Sequence, residues 1–263
     1  MNVGARTVLL TGATGGLGHA IARRLAAAGA RLVLSGRRCD VLAALASEIG
    51  AEVAPADMSD PDAVRELAAA HTHVDILVAN AGVPASGRLQ TYDDEQLERA
   101  LLVNLHAPII LTHALTPHMV ERGSGHIVFM SSLSGKTATA GSSLYNATKY
   151  GLRGFGSAMR AELHGTGVGV STIFPGFIRD AGMFADANVK LPFGVGTKSP
   201  DQVAEATLRA IERNRGEIDV APLGLKLGSL FGGVAPETAA RVTRRSGGDA
   251  LARQFETGQL DKR

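Results

Sequence analysis

The segment TGATGGLG, residues 11–18, decides how the rest of the chain is interpreted. It directly follows the apolar run RTVLL, residues 6–10, and opens an alanine-rich segment of helical length. Gly12, Gly16 and Gly18 allow a tight turn, close approach of a ligand to the backbone, and close packing of a helix on a sheet. A strand, this turn and a helix in that order predict a dinucleotide site, because amides at a helix N-terminus favour a pyrophosphate. The alternative is a tight turn without a ligand.

Short apolar runs and helix-length segments alternate along the chain. The predicted strands are 6–10, 31–35, 51–55, 75–79, 126–131, 169–174 and 216–222. The main predicted helices after the first are 40–49, 61–70, 93–115, 142–164 and 200–214. The strands are continuous runs rich in Val, Ile and Leu, which favour a parallel sheet covered on both faces. The alternation predicts a single α/β domain over residues 1–263, a doubly wound parallel sheet of Rossmann type in three layers.

Composition excludes several classes of protein. The chain has 263 residues, of which 45% are hydrophobic and 20% charged, so a substantial core is expected. The net charge of +2 is spread along the chain, which argues against nucleic-acid binding. One cysteine, Cys39, excludes an intrachain disulfide and fits a cytoplasmic location. The eight histidines show no metal-ligand spacing.

The same chain gives no sign of targeting to a membrane. The N-terminus lacks the long apolar region of a signal peptide. No run reaches the roughly 18 consecutive apolar residues of a membrane span. We therefore expect neither a signal peptide nor a spanning helix.

The second predicted strand ends in SGRR, residues 35–38. An acidic residue at this point would bind the ribose 2′-hydroxyl of NAD and repel a 2′-phosphate, and the chain has Gly36 instead. Arg37, with Arg38 beside it, would offer a forked cation to such a phosphate. The alternative is that both arginines are solvated residues at the start of the next helix. The sequence favours NADP(H) over NAD(H).

The segment SSLYNATKYGLRGF, residues 142–155, places Tyr145 four positions before Lys149. On a helix the two side chains share one face, within about 6 Å of each other. A free tyrosine has a pKa of about 10, and a general acid works best when its pKa approaches the operating pH. The lysine cation, helped by a nearby nicotinium ring, is predicted to lower that pKa. The pair therefore predicts an acid–base group.

Taken in order, these features resemble the short-chain dehydrogenase/reductase family of the classical type. The resemblance extends from residue 6 to about residue 178. Its motifs are the Thr-Gly-x-x-x-Gly-x-Gly turn at 11–18, Asp57, ANAG at 79–82, Asn104, Ser132, Tyr145 with Lys149, and PGFI at 175–178. Each match alone carries little weight, and the ordered set is specific.

The resemblance implies a catalytic tetrad. Tyr145 would protonate the forming alkoxide, and Ser132 would hydrogen-bond and polarise the substrate carbonyl. Lys149 would also bind the nicotinamide ribose, and Asn104 would hold a water that completes a proton relay. Ser132 and Tyr145 would meet at the carboxyl edge of the sheet, where doubly wound folds bind ligands.

The resemblance also implies a set of cofactor contacts, in which Asp57 lies beside the adenine. The full set is Gly12, Thr14, Gly16, Leu17, Gly18, Arg37, Arg38, Asp57, Met58, Asn80, Ala81, Gly82, Tyr145, Lys149, Pro175, Gly176 and Ile178. Two positions depart from the family pattern. Ala79 replaces an Asn that stabilises the sheet edge. Asp180 replaces a Thr that contacts the nicotinamide carboxamide, which leaves the backbone of Ile178 as the expected contact.

Residues 177–198 lack a clear period, and by resemblance they form a lid over the substrate. The apolar residues of this lid are Phe177, Phe184, Leu191, Phe193 and Val195. The C-terminal tail, 223–263, also begins apolar, over 223–236. Both observations suggest a lipophilic carbonyl or alcohol as substrate. The alternatives are that these residues cover the core, an oligomer surface, or a peripheral contact with a membrane.

The sequence thus predicts an NADP(H)-dependent oxidoreductase that interconverts a carbonyl and an alcohol, without a metal. The alternatives are a non-catalytic NAD(P)-sensing binding protein, an NAD-dependent dehydrogenase of the same fold, and a dehydratase or epimerase. The resemblance implies a homodimer or homotetramer built on the long helices 93–115 and 142–164.

Overall fold

The structure is a computed structural model that describes residues 1–187, 189, 191, 195–245 and 248–259. Phe193 of the predicted lid lies outside the described residues. Seven strands form one parallel sheet in the order β3-β2-β1-β4-β5-β6-β7. The strands are β1 (Thr7–Thr11), β2 (Arg31–Ser35), β3 (Glu52–Val53), β4 (Ile76–Ala79), β5 (Gly125–Met130), β6 (Val168–Pro175) and β7 (Glu217–Val220). The predicted doubly wound sheet is confirmed.

Helices cover both faces of this sheet and extend beyond its last strand. They are α1 (Gly16–Ala27), α2 (Cys39–Ile49), α3 (Pro61–Ala70), α4 (Asp94–Leu101), α5 (Ala107–Glu121), α6 (Ser143–Glu162), α7 (Met183–Asp186), α8 (Pro200–Glu212), α9 (Leu223–Val234), α10 (Pro236–Arg245) and α11 (Gly248–Gln259). Their starts follow capping chemistry: Ser199 and Gln202 form a capping box at α8. At α3 the side chain of Asp60 accepts hydrogen bonds from the first-turn amides.

Consecutive residues of β1 supply both hydrophobic layers, as the period of two in a strand requires. Leu10 belongs to the layer under α1, α2 and α8. Leu9 belongs to the layer under α3, α5 and α6. Both side chains are fully buried, and each burial stabilises the fold by about 2 kcal/mol. A sheet covered on both faces explains why its strands are apolar throughout.

The strand order places a topological switch between β1 and β4. From β1 the sheet grows through β2 and β3 on one side, and from β4 it grows through β5, β6 and β7 on the other. The connections from these two strands therefore leave on opposite faces, and a crevice opens at their carboxyl ends. The glycine turn and the ANAG segment follow these two strands directly.

Two predicted elements differ in length. The helix predicted over 93–115 runs on to Glu121 as α4, a π turn (Leu102–His106) and α5, because the buried Met119 draws the last turn onto the sheet despite Pro117. β3 has only two residues, although the amides of Ala54 and Ala56 still donate hydrogen bonds to carbonyls at the end of β2 and just after it.

Among the described residues, one helical stretch, Asp94–Glu121, has the length and apolar composition of a membrane span. Its buried side chains include Leu111 and Leu115, which belong to the protein core beside the sheet. A core helix meets the same criteria of length and composition.

The tail predicted to end in one polar helical segment contains three helices, α9, α10 and α11. One side of α9 is strongly apolar and exposed to solvent. Its exposed residues are Leu223, Leu227, Leu230, Phe231 and Val234. The spacing of these residues places them on one helical face.

Candidate active site

The glycine turn is held against the end of β4 by close backbone contact. Gly12 has a φ of 66°, in the left-handed region that favours glycine. A Cβ at Gly12 would lie 2.9 Å from the backbone nitrogen of Ala81. Asn80 Nδ2 donates to the Thr11 carbonyl at 3.1 Å, and Thr11 Oγ1 accepts from the amide of Ala81 at 3.1 Å. The turn therefore needs glycine at this position to keep its shape.

The second and third glycines of the turn, Gly16 and Gly18, are closely packed, as the sequence predicts. A side chain at Gly18 would overlap the backbone of Ala13, so α1 begins directly on the turn. A side chain at Gly16 would overlap Ala181, which precedes α7. The start of the predicted lid thus lies on the dinucleotide turn.

A cavity of about 1400 Å³ occupies the crevice at the carboxyl ends of the strands. Every residue of the predicted cofactor set lines it, from the glycine turn to Ile178. Ser132, Tyr145 and Lys149 line the same cavity, and Asn104 does not. The narrow turn, the strand ends and the catalytic candidates therefore share one space large enough for a dinucleotide and a substrate.

The two arginines after β2 border one end of the cavity. Arg37 Nη1 lies 3.8 Å from Asp57 Oδ2, and the Arg38 guanidinium donates a hydrogen bond to the Thr14 carbonyl. Partial burial works to raise the pKa of Asp57, but hydrogen bonds from Ser59 and the charge of Arg37 together lower it. Asp57 is thus anionic and orients Arg37 at the end of the cavity.

Ser132 lies just beyond β5, at the start of the turn Leu133–Gly135. Its hydroxyl accepts a hydrogen bond from the Ser134 amide at 3.1 Å and donates one to the Pro175 carbonyl at 3.5 Å. The Ser132 side chain also acts on the neighbouring Tyr145 phenol, whose pKa it lowers. The strand end and α6 therefore bring the serine and the phenol together at the cavity.

Lys149 is 3% exposed, and its Nζ donates to the Met130 carbonyl at 3.0 Å. Burial lowers the pKa of Lys149 to about 8. Its Nζ lies 5.6 Å from the centre of the Tyr145 ring. The ammonium is thus held by the backbone of β5, with no carboxylate contributing to its pKa.

Tyr145 does not have, in the protein alone, the lowered pKa that was expected from its neighbour Lys149. Burial raises the pKa of Tyr145 to about 12, and the nearby Ser132 side chain offsets only part of that rise. The reason is that a phenolate loses its hydration in the crevice, while the Lys149 ammonium is directed to a backbone carbonyl. An acidic phenol therefore needs further positive charge in the cavity.

Asn104 lies in the π turn behind the cavity and is fully buried. Its Oδ1 accepts from the amide of Val83 at 2.8 Å, and its Nδ2 donates to the Val83 carbonyl at 3.0 Å. The side-chain amide is thus engaged with the segment that follows β4. Its role in a proton relay stays a prediction, and in this structure its side chain orders the cavity wall.

Asp180 lines the cavity with a φ of 69°, a conformation that Asp tolerates better than bulkier residues. Its Oδ2 lies 3.2 Å from Arg179 Nε. The adjacent Ile178 forms a parallel bridge with Lys198, in which the carbonyl of Phe177 and the amide of Arg179 make the hydrogen bonds. The backbone polar groups of Ile178 face away from Lys198 in such a bridge, which is compatible with the predicted carboxamide contact.

Sequence reasoning linked the apolar start of the tail, 223–236, to a lipophilic substrate and missed the contributions of α10 and α11 to this cavity. Leu225 and Ser229 of α9, Arg244 of α10, and Phe255 with Gln259 of α11 all line it. The apolar start of the tail was a signal for α9. A phenylalanine in an otherwise polar helix was the available signal for α11.

Metal binding finds no support in the described part of the chain, where no group of three or more His, Cys, Asp or Glu side chains could hold an ion. His126 on β5 is buried, and its Nε2 lies 2.8 Å from Ser171 Oγ. Burial, with the charges of the N-terminus and Arg160, lowers the pKa of His126 to about 3. This histidine is a neutral part of the core.

Known proteins resemble the chain across most of its length. A family model described as short chain dehydrogenase matches residues 6–191. The ketoacyl reductase HetN of Nostoc sp. is 36% identical over 253 residues, covering 91% of this chain and 88% of that protein. The dehydrogenase/reductase SDR family member 7B of Bos taurus is 34% identical over 236 residues, covering 81% and 73%.

Solved structures agree with these relatives. A short-chain dehydrogenase from Sphingobium yanoikuyae in complex with NADPH has a TM-score of 0.75 at 28% identity, covering 89% of this chain and 95% of that one. The sheet order, the glycine turn and the order of motifs along the chain point the same way. This chain belongs to the short-chain dehydrogenase/reductase family of NAD(P)-dependent oxidoreductases.

Proposed function

We propose that the protein is an NADP(H)-dependent oxidoreductase that interconverts a carbonyl and an alcohol on a lipophilic small molecule. The observation that carries this proposal is that Ser132, Tyr145 and the buried Lys149 line one cavity, which the glycine turn also lines. A hydroxyl donor, a phenol and a cation at one crevice suit a reaction in which charge develops on a single oxygen.

The residues of the cavity fit a dinucleotide. A Cβ at Gly12 would collide with the backbone of Ala81, so the turn needs glycine at this position. The backbone amides at the start of α1 would bind the pyrophosphate, as in other turns of this kind. The reduced cofactor, when bound, supplies the hydride. The described cavity residues Arg37, Asp57 and Lys149 would bind its adenosine and ribose groups.

The chain's own residues carry the proton chemistry. In the direction of reduction, Ser132 Oγ donates a hydrogen bond to the substrate carbonyl oxygen and polarises it. Tyr145 then donates its proton to the same oxygen as negative charge develops there. Lys149 stabilises the resulting phenolate by its charge. In the direction of oxidation, Tyr145 accepts the proton as the general base.

The preference for NADP(H) rests on Arg37 and Arg38 at the end of β2, where Gly36 replaces the acidic residue that NAD favours. Both arginines line the cavity and are exposed to it. The NADPH bound in the Sphingobium relative agrees with this preference.

The lipophilic substrate rests on the cavity wall formed by the lid and the tail. Phe177 and Phe184 come from the lid, and Leu225 comes from α9. The ketoacyl reductase among the relatives acts, by its name, on a carbonyl attached to an acyl chain, which has the same apolar character. We propose a carbonyl with an apolar body of at least several carbons.

A nucleotide-sensing protein without turnover is the main alternative from another class. Such a protein has no need of Ser132, Tyr145 and Lys149 in the cofactor cavity, and their presence there favours the enzyme. An NAD-dependent dehydrogenase, or a dehydratase or epimerase on the same fold, would keep the glycine turn. These differ in cofactor preference and in whether NADPH is consumed in proportion to product.

The test is reduction of a panel of ketones and aldehydes, followed by loss of NADPH absorbance, with NADH in parallel. We expect turnover with NADPH and a loss of about 10²–10⁴-fold in kcat/KM for Tyr145→Phe, because the variant lacks the proton that the alkoxide needs. NADPH binding should persist in that variant. Undiminished turnover by Tyr145→Phe would exclude the proposed acid.

Assembly and location complete the proposal. We propose a homodimer or homotetramer built on α4–α5 and α6, whose outer faces expose Leu101, Val120 and Tyr150. Light scattering of the purified chain tests this assembly. We propose a cytoplasmic location, with which the single free cysteine, Cys39, is compatible, and fractionation of cells that express the chain tests it.

A further inference from the structure

The substrate end of the cavity includes a helix from the far end of the chain. Phe255 of α11 lines the same cavity as Ser132 and Tyr145. No sequence motif joins α11 to the catalytic residues, so this contact is made by tertiary packing alone. Through Phe255, the C-terminal helix can therefore contact the substrate directly.

Phe255 forms an aromatic wall with two residues of the lid segment. Its ring stacks on Phe177, with centroids 6.1 Å apart and planes inclined by 18°. Phe184 lies 5.2 Å from Phe177 and 6.1 Å from Phe255, tilted against each. Aromatic pairs at these separations attract one another beyond the burial of their area. Three rings, two from the lid and one from α11, therefore form one apolar surface.

Specific contacts fix α11 against α7. Gln259 Nε2 donates to the Met183 carbonyl at 3.2 Å, and Gln259 is 3% exposed. Gly258 approaches Ala187 so closely that a Cβ at Gly258 would lie 2.9 Å from the Ala187 Cα. Glu256 Oε1 lies 3.4 Å from the amide of Arg88, on the segment before α4. The position of Phe255 is thus set by contacts on both of its sides.

Met183 connects the aromatic wall with the catalytic end of the cavity. A Cβ at Gly82 would lie 3.5 Å from Met183 Cε and 3.7 Å from Lys149 Nζ. Met183, the first residue of α7, therefore lies beside the same glycine that Lys149 Nζ approaches. A substrate placed between Tyr145 and α7 would extend toward the three rings.

We propose that α11 completes the substrate site and that Phe255 is a specificity-determining residue, which binds the aromatic or other flat apolar body of the carbonyl substrate. This inference rests on the proposed function. Three rings offer an apolar surface without a hydrogen-bond partner, so a flat apolar group gains from stacking there while a compact ketone leaves it unused. Phe255 thus contributes to affinity for the body of the substrate and leaves the chemical step unchanged.

The experiment compares Phe255→Ala with Arg253→Ala, an exposed residue of the same helix that does not line the cavity. Binding of benzylacetone to the protein saturated with NADP⁺ is measured by calorimetry, which requires no turnover. The KM and kcat for reduction of benzylacetone and of acetone are measured with NADPH. Phe255→Leu serves as a milder variant, and thermal unfolding checks that each variant is folded.

We expect Phe255→Ala to weaken benzylacetone binding and raise its KM by about two- to tenfold, the range of one aromatic pair. Its kcat, its KM for acetone and its NADPH affinity should match the wild type, and Phe255→Leu should fall between the two. Arg253→Ala should change none of these values.

Three results would overturn the inference. In the first, the wild type fails to bind benzylacetone; in the second, Phe255→Ala binds it with wild-type affinity; in the third, Phe255→Ala loses affinity for benzylacetone and for NADPH equally. Equal losses would mean that Phe255 only holds the fold. If Phe255 determines benzylacetone binding but the wild type reduces neither ketone, the wall is supported and the proposed oxidoreductase activity fails. The two claims can therefore be separated.

Discussion

The ammonium of Lys149 lies 5.6 Å from the centre of the Tyr145 ring, on the same face of α6 and one helical turn away. Its Nζ is held by the Met130 carbonyl at 3.0 Å. Burial lowers the pKa of Lys149 to about 8 and raises that of Tyr145 to about 12. The two residues are thus positioned for proton transfer, but the pKa of Tyr145 is still too high for it near neutral pH. Positive charge from a bound oxidised nicotinamide would lower the pKa of Tyr145.

Replacing Lys149 with Met should remove the charge that stabilises the phenolate. We expect kcat/KM to fall by about 10²-fold or more, within the range for a perturbed general acid. NADPH affinity should fall as well, because the ribose loses a donor. Stopped-flow absorbance and fluorescence titration measure the two effects. Wild-type kcat/KM in Lys149→Met would contradict this role.

Removing the hydroxyl of Ser132 should weaken stabilisation of the developing alkoxide. We expect Ser132→Ala to lose about 10²–10³-fold in kcat, the cost of one donor to an oxyanion. Ser134→Ala is the matched control, since Ser134 also lines the cavity and only its amide contacts Ser132. Equal losses in both variants, measured by steady-state kinetics, would show that the serine segment matters only for folding.

Arg37→Ala should reduce affinity for NADPH and leave affinity for NADH unchanged. A hydrogen bond to a charged group contributes about 1.5–3 kcal/mol, so we expect a loss of about 10–100-fold. Arg23→Ala is the control, since Arg23 pairs with Glu48 at 2.6 Å and does not line the cavity. Fluorescence titration with both cofactors gives the ratio. A proportional loss for both cofactors would contradict the recognition of a 2′-phosphate.

His126 predicts an acid-sensitive step in stability that is independent of catalysis. Its pKa is about 3 in the folded protein and 6.5 in the unfolded chain, so the unfolded chain takes up the proton first as the pH falls. The contribution is full above pH about 6.5 and is lost toward pH about 3, on the order of 5 kcal/mol.

His126→Asn should therefore be less stable at neutral pH, because it leaves a cavity, and should lose less stability with acid. The exposed His113 supplies the control variant His113→Asn. Urea unfolding at several pH values measures the slope. A slope like that of the wild type in His126→Asn would show that this histidine does not cause the acid loss.

The sequence predicted the site correctly where residues close together in the chain determine the structure. The glycine turn needs a left-handed Gly12 and a short approach to Ala81, and both requirements follow from residues close to strand ends. Because the carboxyl ends of parallel strands share one edge, Ser132 and Tyr145 were predicted to meet there. The family resemblance implied cofactor contacts after β1, β2, β4 and β6, and the structure brings all of these residues to one cavity. Such placement needs only strand order and the length of connections.

The sequence was uninformative where long-range packing decides. The contact of Phe255 with Phe177 joins segments far apart in the chain, and no period or motif encodes it. The engagement of Asn104 with Val83 depends on a π turn, which leaves no pattern of its own. The pKa of Tyr145 depends on the balance between burial and charge, which the spacing to Lys149 does not determine.

The central claim is that positive charge from the bound cofactor makes the Tyr145 phenol acidic. It is tested by titrating tyrosinate absorbance in the wild type and in Tyr145→Phe, each with and without saturating NADP⁺. With only three tyrosines in the chain, the difference isolates Tyr145. We predict no Tyr145 signal below pH about 10 in the protein alone, and one tyrosinate at clearly lower pH with NADP⁺. An unchanged titration on adding NADP⁺ would contradict the account.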